Sequence, residues 1–275
     1  MAYNNLIRAI AEWGAAQPDL LAGVVIGSRA RIDAPADDYS DLDVMLFTPD
    51  VSRYADDARW LEQFGTVVVK SLGSIGYGNR EWIVVYGDGA KVDFALSRAA
   101  EGAATLQALI DACPHQGVLA RGVLPLFDNV SPGTAIHAPS APPVPPPTPA
   151  ALEHLLTEAW LDGLKAVKSL RRGGLWQAKM RVDGDLKGRL LTLLEWDAVG
   201  IDTWHDGRFL EGWADREALA ALPGTFAAYT TDDVRRALFA TLDLIGVLGR
   251  RVAGRLGSAY PADAERQMRR WIEVI

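Results

Sequence analysis

Cysteine is nearly absent: Cys113 is the only one in 275 residues, so no intrachain disulfide can form and a reducing compartment suits the chain. The four histidines, His115, His137, His154 and His205, fall at no metal-ligand spacing, which argues against zinc. Long apolar runs are also missing. Even residues 237–249 are interrupted by Asp243, and no stretch reaches the roughly 18 residues that span a bilayer. Arg8, Glu12 and Asp19 precede any long apolar segment, unlike a secretory signal. Basic charge is short as well, with 28 Lys+Arg against 35 Asp+Glu, a net charge of −7 and a sequence pI of about 5.2. An acidic surface repels phosphate backbones and attracts cationic small molecules. These absences predict a cytoplasmic, soluble protein without a nucleic-acid or membrane partner.

What is present is ordinary globular material: 49% hydrophobic and 23% charged. That composition excludes a disordered chain, a collagen and a coiled-coil rod. The length suggests two domains. Seven prolines between Pro139 and Pro149 mark the boundary, because such a run removes backbone donors and favours extended polyproline II. The division is therefore residues 1–137, a linker at 138–150, and residues 151–275. The acid excess belongs to the first part. Residues 1–150 hold 10 basic and 17 acidic side chains, and residues 151–275 hold 18 of each.

Periodicity separates the two parts by class. Residues 4–16 have apolar side chains at helical spacing (Leu6, Ile10, Trp13), and 22–26 is a β-branched run ending at Gly27. Residues 41–47, 66–70, 82–86 and 91–96 read as further strands, with Gly87-Asp88-Gly89 as a hairpin turn, and 99–112 reads as a helix. After the linker, residues 151–170, 175–199, 231–256 and 262–274 all show helical spacing. The fold class is α/β (α+β): a small mixed sheet followed by a helical bundle. Trp13, Trp160, Trp196 and Trp271 sit at core spacing, whereas Trp82, Trp204 and Trp213 are less clearly core.

The chemistry concentrates in residues 24–47, VVIGSRARIDAPADDYSDLDVMLF. A strand ends in Gly27-Ser28-Arg29, and after a loop the next strand opens with Asp41-Leu42-Asp43. Side chains two apart on a strand share a face. Asp41 and Asp43 therefore present two carboxylates together, an arrangement that is costly unless a cation sits between them. Mg²⁺ prefers a few carboxylate oxygens together with substrate phosphates. Gly27 lets backbone approach a phosphate closely, and Ser28 adds a hydroxyl and an N–H. Asp93 lies mid-strand between Val92 and Phe94, where an acid needs a partner or a function. Placed beside the pair, it could complete a two-metal site or deprotonate an acceptor hydroxyl.

Gly27-Ser28, a spacer and Asp41-X-Asp43 resemble the nucleotidyltransferase signature of the polymerase-β superfamily. GSRAR…YSDLDVMLF, RWLEQFG (59–65), KVDFAL (91–96), Glu158–Trp160, LLEWDAVGID (193–202) and AYP (259–261) are similar to the aminoglycoside 6-adenylyltransferase (streptomycin adenylyltransferase) family across nearly the whole chain. The resemblance implies AMP transfer from ATP to an aminoglycoside hydroxyl, with Mg²⁺ and release of pyrophosphate, inactivating the antibiotic. It implies an N-terminal domain that holds two metal ions and the triphosphate, and a helical domain that closes over and helps bind the acceptor. Gly27, Ser28 and Arg29 match the nucleotide-binding turn, Asp41 and Asp43 the metal-binding pair, and Asp93 the third acid and base. The proline-rich linker departs from that pattern.

Blander readings stand beside these. Asp41/Asp43 could be a solvated strand edge, Asp93 a salt-bridge partner and Arg29 a surface arginine. Lys179, Asp183 and Lys187 recur every four residues and read first as a solvated charge ladder. The functional alternative has Lys187 reaching the triphosphate and Asp183 binding an acceptor amine. Rival functions are a different acceptor (a lincosamide or another small alcohol), a protein acceptor in a toxin–antitoxin pair, and a catalytically silent binder.

Overall fold

The β-branched run at residues 22–26 forms β1 (Ala22–Ile26), and all five of its residues are buried. It belongs to a six-stranded sheet in the computed structural model of the chain, which describes residues 2–31, 36–140, 145–200, 203 and 205–274. The chain divides into two units, residues 1–143 and 144–275. The first is mixed α/β and the second, among the described residues, is helical. Parts of the loop between Gly27-Ser28-Arg29 and Asp41 and of the 138–150 linker, together with residues 201–202 and Trp204, lie outside the described residues.

The first unit runs α1 (Ala2–Ala15), β1, a tight turn at Gly27–Arg29, β2 (Leu42–Thr48), α2 (Val51–Ala55), a 3₁₀ turn at Arg59–Phe64, β3 (Val67–Gly76), β4 (Asn79–Tyr86), β5 (Lys91–Arg98), α3 (Leu106–Ala112), α4 (Gln116–Leu119) and β6 (Leu124–Asp128). The sheet order is β3-β4-β5-β2-β1-β6, with β2 and β5 parallel and the other neighbours antiparallel. Alternation sends Leu42, Val44 and Leu46, with Val92, Phe94 and Leu96, to one face. There they meet α1 and an aromatic group in which Trp60 stacks on Trp13 (5.1 Å between centroids) and meets Phe94 edge-on at 5.0 Å. The RWLEQFG segment therefore serves the core, where each buried ring or branched side chain contributes roughly 1.5–3 kcal/mol. Met45, Phe47 and Ala95 point to the other face, against Leu106, Leu109 and Ile110 of α3. Asp43 and Asp93 continue this second face toward the strand starts.

Three local expectations need correction. The helix expected over 99–112 begins only at Leu106, because Gly102 adopts φ +76° and Thr105 caps the helix by accepting from Ala108 N–H at 3.1 Å. β3 runs on to Gly76, joined to β4 by Tyr77-Gly78, both at positive φ as a tight twisted hairpin requires. Trp271 has core spacing yet is 55% exposed.

The second unit comprises α5 (Pro149–Arg171), α6 (Leu175–Met180), a wide π turn at Arg181–Asp185, α7 (Leu186–Asp197), α8 (Leu210–Trp213), α9 (Arg216–Ala221), α10 (Thr231–Arg255) and α11 (Ala262–Val274). The proline-rich stretch ends inside α5: Thr148 accepts from Ala151 N–H, and Pro149 occupies the first turn, where its missing donor costs nothing. Leu156, Leu190, Leu193, Ile245 and Leu248 form the centre of its core. The balanced charges are paired between helices: Asp162 with Arg189 at 2.8 Å, and Asp197 with Arg251 and Arg255 at 3.2 and 2.8 Å. No helix among the described residues is long and apolar enough to cross a membrane.

Candidate active site

The parallel pairing of β2 with β5 sets Asp43 opposite Asp93, and the antiparallel pairing of β1 with β2 sets Ile26 opposite Asp43. The turn at Gly27–Arg29 follows directly from Ile26, so it lies against Asp43. Gly27 has φ +67°, and a Cβ there would come within 2.1 Å of Asp43 Oδ2. Glycine is thus required twice, by conformation and by space.

Asp41 is delivered by its own loop. Asp37 Oδ1 accepts from Tyr39 N–H at 3.0 Å and from the Ser40 hydroxyl at 2.8 Å, forming a compact turn ahead of β2. Arg29 then ties the two segments together. Its Nε and Nη2 donate to the carbonyls of Asp41 and Ser40 at 3.0 and 2.7 Å, and its guanidinium stacks 3.8 Å from the centre of the Tyr3 ring. Arg29 acts through the backbone that presents Asp41. Ser28, partly exposed, sits at the middle of the same turn.

Two charged groups escaped sequence reasoning. Lys91 Nζ lies 2.8 Å from Asp41 Oδ2 and 2.9 Å from Asp93 Oδ2. Burial pulls the Lys91 ammonium down, but these hydrogen bonds outweigh it and its pKa rises. Glu81, partly buried on β4, has a raised pKa, first through burial and then through the charges of Asp93 and Asp43. Cross-strand register explains its place: Glu81 pairs with Ala95, two residues beyond Asp93 on the same face of β5. The signal in sequence was only a polar residue at an alternating strand position.

Among the described residues no three His, Cys, Asp or Glu side chains are drawn together as a metal cage. A magnesium ion that arrives with a triphosphate needs only one or two carboxylates from the protein. The oxygen donors of Asp41, Asp43 and Asp93 fit that requirement. Asp93 Oδ1 supports it directly: the atom is buried and has no hydrogen-bond partner.

Lys187 belongs to the second unit, in the Lys179–Asp183–Lys187 ladder around the π turn. The ladder is not solvated. The Lys187 side chain is 13% exposed, and its Nζ donates to Thr225 O, Thr241 Oγ1 and Val182 O at 2.8, 3.1 and 3.1 Å. Lys179 pairs with Asp183. Burial, only partly offset by the charge of Asp183, depresses the Lys187 pKa to about 8.

Comparison with known proteins gives the following likenesses. A family model described as streptomycin adenylyltransferase matches residues 2–275. Aminoglycoside 6-adenylyltransferase of Bacillus subtilis (strain 168) is 22% identical over 251 residues, covering 86% of this chain and 84% of that protein. The crystal structure of an aminoglycoside 6-adenyltransferase from Bacillus subtilis aligns at 17% identity and TM-score 0.47, covering 98% of this chain and 96% of that one. A nucleotidyltransferase-like protein from Exiguobacterium sibiricum 255-15 aligns at 11% identity and TM-score 0.34, covering 91% and 78%.

Proposed function

Since the chain belongs to the streptomycin adenylyltransferase family, we propose that it transfers AMP from ATP to a hydroxyl of streptomycin or a closely related aminoglycoside, releasing pyrophosphate and inactivating the drug. The observation that carries this reading is the register of Asp43 against Asp93, with the glycine turn pressed onto Asp43. Two carboxylates side by side at the edge of a glycine turn are parts for handling a metal-bound triphosphate.

In this reading Asp41, Asp43 and Asp93 hold the divalent cation, which when bound neutralises the triphosphate and its developing charge. The Gly27-Ser28 turn offers backbone N–H groups to the phosphates. Arg29 keeps Asp41 in place through the Ser40 and Asp41 carbonyls. We assign the proton transfer to Glu81 rather than Asp93, because Asp93 is given to the cation, while Glu81 lies across the β4–β5 register beside it and its carboxyl is raised, first by burial and then by the neighbouring acids. The acceptor hydroxyl gives its proton to Glu81, its oxygen forms the bond to the α-phosphorus, and the bond to the β-phosphate oxygen breaks. An acidic first part, 10 basic against 17 acidic residues over 1–150, favours a polycationic acceptor.

Mass spectrometry of the acceptor after incubation with enzyme and Mg-ATP tests the proposal. Streptomycin carrying one added adenylyl group is the expected product. Adenylylation of a lincosamide instead would overturn the acceptor, and no modified acceptor in a broad aminoglycoside panel would overturn the activity.

A further inference from the structure

The acid site contains a cation of its own. Lys91 begins β5, directly after the β4–β5 turn, and its ammonium bridges Asp41 and Asp93, which come from different segments of the chain. Its backbone is anchored, since Lys91 N–H donates to Tyr3 Oη at 3.2 Å. The four-carbon side chain beyond that anchor is a third exposed. Lys91 can therefore leave the acids without moving the strand.

The oxygens it occupies are the ones a metal would use. Asp93 is half satisfied: Oδ2 takes the Lys91 hydrogen bond, while Oδ1 is buried without a partner. A magnesium ion approaches carboxylate oxygens to about 2.0–2.1 Å, so it and an ammonium cannot share the same seat. Without either cation, Asp41 and Asp93 would face each other with unbalanced negative charge.

We propose that Lys91 is the resident counter-cation of this site, bridging Asp41 and Asp93 until a divalent ion displaces it, so that it weakens metal binding in the absence of nucleotide. Holding the acids neutralised keeps the ligand-free protein from capturing metal alone and favours arrival of metal and triphosphate together. The displaced ammonium stays on a backbone that the Tyr3 hydroxyl holds in place. This inference rests on the reading of Asp41 and Asp93 as cation ligands.

The test is Mn²⁺ binding without nucleotide, followed by electron paramagnetic resonance on the full chain, for wild type and Lys91→Met. The variant is expected to bind Mn²⁺ tighter by about tenfold or more, as loss of a charge competitor within contact distance implies. Equal affinities would overturn the role of Lys91 and leave the cation site standing. Failure of both proteins to bind Mn²⁺ at millimolar metal would remove the cation site and this inference with it. A second measurement needs no variant: acylation of Lys91 in the wild-type protein, read by peptide mass spectrometry during an Mn²⁺ titration. Labelling should rise as Mn²⁺ saturates; unchanged labelling at saturating metal would contradict displacement.

Discussion

Asp43 and Asp93 stand opposite one another in the parallel pairing of β2 with β5. Fifty residues separate them in sequence, and the chain builds the β3–β4 hairpin between them before laying β5 beside β2. Like charges directly across a sheet destabilise it unless a cation intervenes. The strands are held regardless by Leu42, Val44, Val92 and Phe94, all fully buried on the opposite face. The candidate site lies on one face of these strands while the other face supplies the stability.

Replacing Gly27 with Ala tests the contact between turn and acid. The new Cβ would fall 2.1 Å from Asp43 Oδ2 at a φ of +67°. The expected result is a loss of about 1–3 kcal/mol in denaturant unfolding, the usual range for such backbone strain. Turnover should fall roughly a hundredfold or more as Asp43 is pushed aside, on the scale that misplacement by an ångström produces. A stable and fully active G27A would show that the turn does not position Asp43.

Glu81 should govern the acidic limb of the pH–rate profile. A base works ionised, so with a raised pKa the kcat/KM must climb with pH through a range above that of ordinary carboxylates. Glu81→Gln should abolish that limb and lower the plateau by about 10²–10⁴. The sign for stability is opposite. A folded-state pKa above the unfolded value stabilises the protonated form at low pH and loses that contribution as pH rises, so E81Q should be the more stable protein at neutrality. An unchanged limb in E81Q would return the proton to Asp93.

Lys187 makes a prediction for stability alone. Its folded pKa of about 8 lies below the ordinary lysine value of 10.5, so between those pH values the unfolded chain binds a proton that the folded chain does not. Stability must rise with pH across that window, by at most about 3 kcal/mol. Chemical denaturation at pH 7 and pH 10 should show this gain in wild type relative to Lys187→Met. Parallel pH dependences in the two proteins would mean that Lys187 is not desolvated.

Salt separates a polycationic acceptor from a neutral one. If the acidic excess of residues 1–150 steers the acceptor, its KM should rise steeply between about 0.05 and 0.5 M salt, a range over which the Debye length shrinks severalfold. Steady-state kinetics at fixed Mg-ATP measures it. A flat KM would point to an uncharged acceptor.

Much of this architecture is legible in sequence because burial writes itself into periodicity. β1 is continuous and apolar since both of its faces are covered, and the long helices of the second unit repeat every three to four residues. β6 escaped because LPLFD contains Pro125 and begins exposed; it is an edge strand, where a missing N–H is tolerated. Asp41, Asp43 and Gly27 were readable because a turn and a pair of acids are local patterns. Glu81 and Lys91 were not, since their meaning comes from register across β4, β5 and β2, which neither strand's own sequence specifies. The ladder of Lys179, Asp183 and Lys187 was legible as a shared helical face but not as an interior one. Thr225 and Thr241, which receive the Lys187 hydrogen bonds, come from distant segments.

Pyrophosphate release from Mg-ATP with streptomycin, comparing wild type with Asp93→Asn, measures the reaction and the site together. Release that requires streptomycin and falls by about a thousandfold in D93N, a loss typical of removing an essential electrostatic or acid–base group, is the expected result. Streptomycin-dependent release that survives in D93N at the wild-type rate would contradict the assignment of Asp41, Asp43 and Asp93 as the catalytic centre.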